Sequence, residues 1–573
     1  MTLAALFRRR FEIRVEFLTL AVAILLATVY NAPLWRDLFT LHSPVAPHDA
    51  LFLISLLLFL VAVFTGLLLI FAFRYVYRPL IVLTFLTAPV ALYYMQAYGV
   101  MIDASMIQNV VETDSREAVE QLSWGLLGYF LLLGVIPAGA VAVTIRPRFD
   151  ATVPRQVVRN AVGIAGCALA IAAIVYPLYQ DYASLFRNHR ELRLLVNPTN
   201  YLYAGARYYW RANSAGAHAA LRPIGEDAAR ASSWAAHHKH AVVVLVVGET
   251  ARAQNFGVFG YARNTTPHLA EGQVHLFNNF YSCGTTTSVS VPCMFSLLSG
   301  SSYDEAQAHG TENVLDVIAR AGFQVIWRDN NSGCKGVCDR VEYEDVSHAA
   351  TAHCTDQECF DEVLLDHLEA RIRSSTGDVF VVLHQKGSHG PAYYERVPAE
   401  FKQFLPDCEN SELQQCSRDE IVNAYDNTIL YTDYFLWRLI ALLQNLSTVD
   451  DTAMIYVSDH GESLGERNLY LHGTPYFIAP EEQIHIPFAV WLSEGFRGEF
   501  GVDESCIEER KNNRYTHANL FHSLLGLMAI DTAAYEADLD LFSGCMRQPA
   551  LANINAPAIE FHPESAKQIL MSN

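Results

Sequence analysis

The amino-acid sequence predicts two architectures in one chain: an N-terminal α-helical part that crosses a membrane five times, and a C-terminal α/β domain built on a mostly parallel sheet. Three observations lead there. Five long apolar stretches crowd into the first 180 residues, Val-rich runs alternate with helical patterns from residue 241, and ten of the eleven cysteines lie beyond residue 280. Half of the 573 residues are hydrophobic, yet the formal net charge is -20. One soluble globule rarely combines these features, and an acidic chain offers no basic footprint for nucleic acid.

The apolar stretches run from Phe17 to Trp35, Ala50 to Phe73, Pro79 to Ile102, Leu122 to Ile145 and Asn160 to Gln180. A helix needs about 20 apolar residues to cross a bilayer core. The competing readings are buried core helices or a signal peptide; five stretches in close succession, the first without a clear cleavage site, argue against both. Arg8, Arg9, Arg10 and Arg14 precede the first span, Arg74 and Arg78 separate the second and third, and Arg146, Arg148, Arg155 and Arg159 separate the fourth and fifth. Between the third and fourth lie Asp103, Glu112, Asp114, Glu117 and Glu120 with a single arginine. Positive charge stays inside, so the N-terminus is expected in the cytoplasm and everything after Gln180 outside it.

Cysteine usage bears independently on that topology. Cys283 and Cys293, Cys334 and Cys338, Cys354 and Cys359, and Cys408 and Cys416 are close in sequence, which leaves Cys506 and Cys545 as a fifth pair. An oxidising compartment favours disulfides. A zinc knuckle is the alternative, but the spacings do not repeat as Cys-x2-Cys units. Three segments follow: a membrane part over residues 1–180, a connector with interfacial helices over 181–240 (Tyr201, Tyr203, Tyr208, Tyr209 and Trp210 among its aromatics), and the α/β domain over 241–573. A connector helix could equally lie on the soluble domain.

Within the last segment, Ala241 to Val247, Phe323 to Trp327, Val379 to Leu383, Thr452 to Val457 and Phe488 to Leu492 have the length and composition of buried strands. Ile421, Tyr425, Ile429, Thr432, Leu436, Leu439 and Leu443 follow a helical period. Sites in open α/β sheets form at the carboxyl ends of strands. Glu249 follows the first strand, His384 and His389 the third, and Asp459, His460 and Glu462 the fourth, with His472 beyond. Oxygen and nitrogen donors of this kind suit Zn²⁺. Each residue alone reads as a cap, turn or salt-bridge partner; their joint position at strand exits is the signal. Ser282-Cys283-Gly284-Thr285-Thr286-Thr287 precedes a helix, whose N-terminus favours phosphate, and a hydroxyl there could attack phosphorus. The bland alternative is a Thr-rich cap. Asn331, Ser332 and Lys335 add polar donors after another strand.

At these residues the chain resembles the lipid A phosphoethanolamine transferases, which include the mobile colistin-resistance enzymes and belong to the alkaline phosphatase and sulfatase superfamily. The resemblance covers nearly the whole chain and rests on Val247-Gly248-Glu249-Thr250-Ala251-Arg252, Ser282 to Thr287, Asp329-Asn330-Asn331-Ser332, Gly387-Ser388-His389-Gly390-Pro391, Ser458-Asp459-His460-Gly461-Glu462-Ser463 and Leu471-His472-Gly473-Thr474-Pro475. The Cys334–Cys338 spacing is shared by only some members. The resemblance implies an alkaline phosphatase/sulfatase-like fold. It implies Glu249, Asp459 and His460 as ligands of a catalytic zinc and Thr287 as the nucleophile held with them, Thr285 and Thr286 being the competing choices. His389 and His472 would hold the substrate phosphate or a second zinc, and Asn331, Ser332, Lys335 and Glu462 would complete the pocket. Gln108, Asn109, Glu112 and Thr113 would lie near the donor head group.

The implied enzyme sits in a bacterial inner membrane with its catalytic domain in the periplasm. It takes phosphoethanolamine from phosphatidylethanolamine, forms a covalent threonine intermediate, and passes the group to lipid A or lipopolysaccharide, lowering surface charge and conferring polymyxin resistance. Membrane lipids are its surroundings, no nucleic acid is involved, and a monomer is the expected state. The alternatives are a core sugar or another periplasmic acceptor, phosphoglycerol transfer, or an inactive membrane-tethered sensor. A hydrolytic sulfatase is disfavoured, since no Cys/Ser-x-Pro-x-Arg motif occurs at 283–293.

Overall fold

The computed structural model describes residues 11–42, 44, 46–113, 115–215, 221–298, 303–355 and 358–546. Arg8, Arg9, Arg10 and Asp114, used above for orientation, lie outside the described residues, as do 216–220 of the connector and 547–573 of the last segment. Five helices are long and apolar enough to cross a membrane: α1 (Val15–Leu41), α2 (Pro47–Ile70), α3 (Tyr77–Ala97), α5 (Trp124–Thr144) and α6 (Val153–Asn188). Helix α4 (Ala104–Glu112) lies between α3 and α5, and α7 (Thr199–Ala215) follows α6. α1 and α6 outrun the predicted spans by several residues, because helical hydrogen bonding continues past the point where apolar composition ends. Asp103 caps α4 by accepting from the Met106 amide.

The α/β domain holds one eight-stranded sheet: β1 (Ala241–Gly248), β2 (Val274–Tyr281), β3 (Gln324–Asp329), β4 (Glu342–Asp345), β5 (Val379–His384), β6 (Asp451–Ser458), β7 (His485–Leu492) and β8 (Tyr515–Thr516). Their order is β8-β2-β7-β6-β1-β5-β3-β4. Only β7 runs against the rest. β1 is buried on both faces: Val243, Leu245 and Val247 enter one core and Val242, Val244 and Val246 the other. This two-sided burial explains its unbroken apolar sequence. Helix α8 (Thr287–Phe295) covers the first face with Val291, Met294 and Phe295. Helix α9 (Arg418–Leu446) covers the second with Ile421, Tyr425, Ile429, Leu436, Leu439 and Leu443. A reciprocal Ser417–Glu420 capping box starts α9. β2, β4 and β8 were not foreseen. β2 mixes polar and apolar residues on a partly exposed face, and β4 (Glu-Tyr-Glu-Asp) is an edge strand without an apolar signature.

Strand register fixes what meets at the carboxyl edge. Gly248 pairs with Ser458, Val247 with His384, and Asp329 with His384, so the four central strands end level. The turn after β5 must pass close to β1. Gly387 has φ +55°, and a Cβ there would lie 2.6 Å from the Glu249 carbonyl oxygen, which accepts from the Ser388 amide at 3.0 Å. Asp361, fully buried, ties the same turn down by accepting from the Lys386 and Gly387 amides. Substituting Gly387 by alanine is expected to push Glu249 out of register. The purified variant should lose roughly 100-fold in catalytic rate, the scale of an ångström's misplacement, and a Gly387→Ala variant with unaltered rate and metal content would contradict this reading.

Candidate active site

Glu249, Asp459 and His460 are 0–1% exposed, and each offers a ligand atom within 4.8 Å of the others. His460 Nε2 lies 3.5 Å from Glu249 Oε1 and 3.4 Å from Asp459 Oδ2. Its Nδ1–H donates to the Gly461 carbonyl at 2.9 Å, which leaves the Nε2 lone pair facing the carboxylates. Asp459 Oδ1 accepts from the Thr250 and His460 amides, whereas its buried Oδ2 lacks a well-formed hydrogen bond among the described residues. Thr250 holds a strained left-handed conformation, φ 59°, while its hydroxyl donates to Glu249 Oε1 at 2.6 Å.

The electrostatics of this cluster call for a cation. Burial and the neighbouring Glu249 charge push the Asp459 carboxyl well above its ordinary range. Burial disfavours ionised Glu249 too, but hydrogen bonds donated by the Thr250 hydroxyl and the Asn331 amide favour the ion. Burial, with help from His472, pushes the His460 imidazole down to about 3, so it is a neutral donor. Two dry carboxylates beside a neutral imidazole are unfavourable without a compensating positive charge. An orphaned carboxylate oxygen, a second carboxylate and an oriented imidazole lone pair fit a divalent metal.

Thr287 is the first residue of α8, and its hydroxyl lies 3.1 Å from both Glu249 carboxylate oxygens and 3.5 Å from His460 Nε2. The neighbouring hydroxyls point elsewhere: Thr285 donates to the Thr474 carbonyl at 2.8 Å, and Thr286 meets Ser288 Oγ at 3.2 Å. Asn331 donates to Glu249 Oε2 and to the Gln385 carbonyl, both at 2.8 Å. Lys335 Nζ donates to Ser332 Oγ at 2.9 Å and to the Ser332 carbonyl at 3.0 Å. His472 packs 4.5 Å from His460 and 5.3 Å from His389, centroid to centroid. Its Nδ1–H donates to Glu462 Oε2 at 2.9 Å, and Glu462 Oε1 accepts from buried Tyr393 at 2.6 Å.

The four α4-region residues divide between two cavities. Asn109 and Thr113 line a groove of about 1150 Å³ that runs from Leu86, Val90, Leu127 and Phe130 of the spans to His389 and His472. Gln108 and Glu112 line a polar cavity of about 330 Å³ with Ser288, Ser332 and Lys335. Residues four apart share a helix face, which accounts for the split. Five disulfides brace the α/β domain: Cys283–Cys293, Cys334–Cys338, Cys354–Cys359, Cys408–Cys416 and Cys506–Cys545.

Several contributors act through contacts between distant parts of the chain. His517 accepts from the Cys283 amide at 3.2 Å and donates to the Ser458 carbonyl at 3.0 Å, joining the nucleophile loop to the end of β6. Burial pushes it down to about 4. Asp329 holds His384 Nδ1 at 2.9 Å beneath Asn331. Asp361 and Tyr393 act through backbone amides and Glu462, contacts that only the folded chain creates.

Comparison with known proteins bears on the fold and the family. The phosphoethanolamine transferase EptA/EptB family model matches residues 60–212, and the sulfatase family model matches residues 241–530. Phosphoethanolamine transferase EptA of Escherichia coli K12 is 40% identical over 87% of this chain and 91% of its own length. Phosphatidylethanolamine transferase Mcr-1 of Escherichia coli is 38% identical over 74% of this chain and 80% of its own. The solved structure of lipooligosaccharide phosphoethanolamine transferase A (EptA) from Neisseria meningitidis superposes with a TM-score of 0.89 at 34% identity, covering 93% of this chain and 98% of that one. With the spans and the sheet domain both matched along one sequence, the chain belongs to the phosphoethanolamine transferase family, whose catalytic part has the alkaline phosphatase/sulfatase fold.

Proposed function

We propose that this chain is a zinc-dependent transferase of the bacterial inner membrane that moves phosphoethanolamine from phosphatidylethanolamine to a lipid A phosphate. The observation that carries this reading is the Thr287 hydroxyl within hydrogen-bond reach of Glu249, among the convergent donors Asp459 and His460, with an apolar groove leading from the spans to the neighbouring histidines. Of the division into a membrane part up to residue 180, a connector to 240 and a catalytic domain from 241, β1 starting at Ala241 supports the last boundary. By contrast, α6 continues to Asn188, and Ile224 and Trp234 of the connector already pack in or against the core of the α/β domain. A cytoplasmic N-terminus is supported by the pairing of Phe11–Arg14 with Ile145–Arg148, which gathers Arg14, Arg146 and Arg148 on one side of the spans.

Glu249, Asp459, His460 and Thr287 would hold the zinc. When bound, zinc supplies a Lewis acid that favours the ionised hydroxyl and offsets charge on a phosphoryl group. Thr287 Oγ1 attacks the donor phosphorus; the new P–O bond forms as the bond to the diacylglycerol oxygen breaks. The Thr287 proton ends on the departing diacylglycerol oxygen, and in the second step the proton of the attacking lipid A phosphate returns to Thr287. His389 and His472 hold the phosphoryl oxygens, His472 being fixed by Glu462 and Tyr393; a second zinc at these histidines is the other arrangement. Asn331 steadies Glu249, and Ser332 and Lys335 face the polar cavity with Gln108 and Glu112. A lipid A phosphate oxygen then attacks the phosphothreonine and regenerates the hydroxyl. The transferred ammonium offsets negative surface charge, so cationic polymyxins bind the product less well.

Expression in cells should add one phosphoethanolamine mass to lipid A, read by mass spectrometry; an unmodified lipid A with diacylglycerol still released would move the acceptor elsewhere. Thr287→Ala should reduce transfer to background and leave no labelled peptide, while Thr285→Ala keeps the labelled peptide at Thr287. A label found on Thr285 or Thr286 would reassign the nucleophile. Dialysis against a chelator should abolish transfer and added Zn²⁺ restore it; full activity in a sample free of metal by elemental analysis would remove zinc from the account.

A further inference from the structure

Arg396 is fully buried in the α/β domain and makes three polar contacts. Its Nε donates to the His389 carbonyl at 2.9 Å. Its two remaining nitrogens form ion pairs with Glu358 of the same domain and with Glu120, which belongs to the segment between α3 and α5. The guanidinium therefore links a backbone atom of a site histidine to the membrane-side loop. Glu120, Glu358 and Glu395 bring three carboxylates close together, and burial pushes the Glu358 carboxyl up despite the opposing charges of Arg396 and Lys386. Removing one partner of a buried charge pair leaves the other uncompensated, so the link is costly to break. Three residues earlier, Tyr393 steadies Glu462 and through it His472. One short segment thus braces both histidines, and its Arg396 is ion-paired with the membrane part.

We propose that Arg396 is a positioning residue that fixes His389 against the transferred phosphoryl group through its ion pair with Glu120, so that docking of the α3–α5 segment and alignment of His389 are one event. This rests on the reading of His389 as a substrate-holding group. Its consequence is that a lipid-side loop out of place leaves the zinc and Thr287 intact but the phosphoryl group poorly held.

The full-length enzyme, assayed with labelled phosphatidylethanolamine, tests this with variants away from the metal cluster. Glu120→Gln should lower kcat roughly tenfold, within the range that misplacement produces, with KM for the donor changed less than about twofold and bound zinc unaltered. Arg396→Lys should lose a similar factor, and adding Glu120→Gln to it should cost nothing further, because the two changes cut one link. Gln414→Ala removes a 2.7 Å hydrogen bond to the Ala97 carbonyl across the same boundary and should leave kcat within about twofold. An unchanged kcat in Glu120→Gln, losses that multiply in the double variant, or an equal loss in Gln414→Ala would each overturn the proposal. If Arg396→Lys fails to accumulate, Glu120→Asp decides: it should recover part of the Glu120→Gln loss, and no recovery counts against the link. Full transfer by His389→Ala would instead sink the reading of His389 on which this rests, so the two failures are distinguishable.

Discussion

Glu249 and Asp459 sit side by side, buried, at the ends of two adjacent parallel strands. Two carboxylates in that position repel one another and are cut off from water, and the fold tolerates this only because a neutral imidazole lone pair and a hydroxyl complete a donor set for a cation. Nearby features keep the arrangement rigid. The Thr250 and His460 amides saturate one Asp459 oxygen and leave the other turned inward. Asn331 restrains Glu249, and Asp329 with His384 lies beneath Asn331. Such pre-orientation matters for catalysis because dipoles already in position need not reorganise when charge develops on the phosphoryl group.

The membrane part contributes more than an anchor. Helix α4 lies outside the spans and sends one pair of residues, Asn109 and Thr113, to the apolar groove and the next pair, Gln108 and Glu112, to the polar cavity. A phospholipid has the same two-part character: apolar chains and a zwitterionic head. The groove begins among span residues and ends at two histidines, so on the proposed function a donor's chains would remain among apolar side chains while its head approached the buried cluster. Gln108 also donates to Glu305 of the α/β domain, and Trp124 donates its amide to Glu412. These contacts join the two parts at the level where a lipid head group would lie.

Much of this was legible in the sequence because the signals were repetitive or local. Five apolar stretches gave the spans, since burial in lipid acts on every residue of a helix. β1 was readable from its Val run for the same reason, being buried on both faces. The Asp459-His460 and Glu249 positions were readable because they follow such strands. What escaped was set by contacts distant in sequence. His517 bridges two loops more than fifty residues away from it in the chain, and nothing in its flanking Tyr515-Thr516 announces that. Arg396 follows the His389 loop by a few residues, yet its partner Glu120 is in another part of the protein. β4 and β2 escaped because their polar content reflects an edge and a partly exposed face rather than strand propensity.

The three consecutive threonines show where sequence reasoning stops for a physical reason. Chemically they are interchangeable, and a one-residue shift along a loop costs nothing that composition can register. The distinction arises at the start of α8. Thr286 occupies the cap position with extended backbone, and Thr287 is the first helical residue, so their side chains diverge. Thr285 is drawn away by the Thr474 carbonyl, part of the loop that carries His472. Only the Thr287 hydroxyl then remains to meet Glu249 and His460. Which of three identical side chains meets the cluster is thus set by the helix start together with the His472 loop, so on the proposed mechanism the nucleophile and the residues that would hold the phosphate depend on the same local packing.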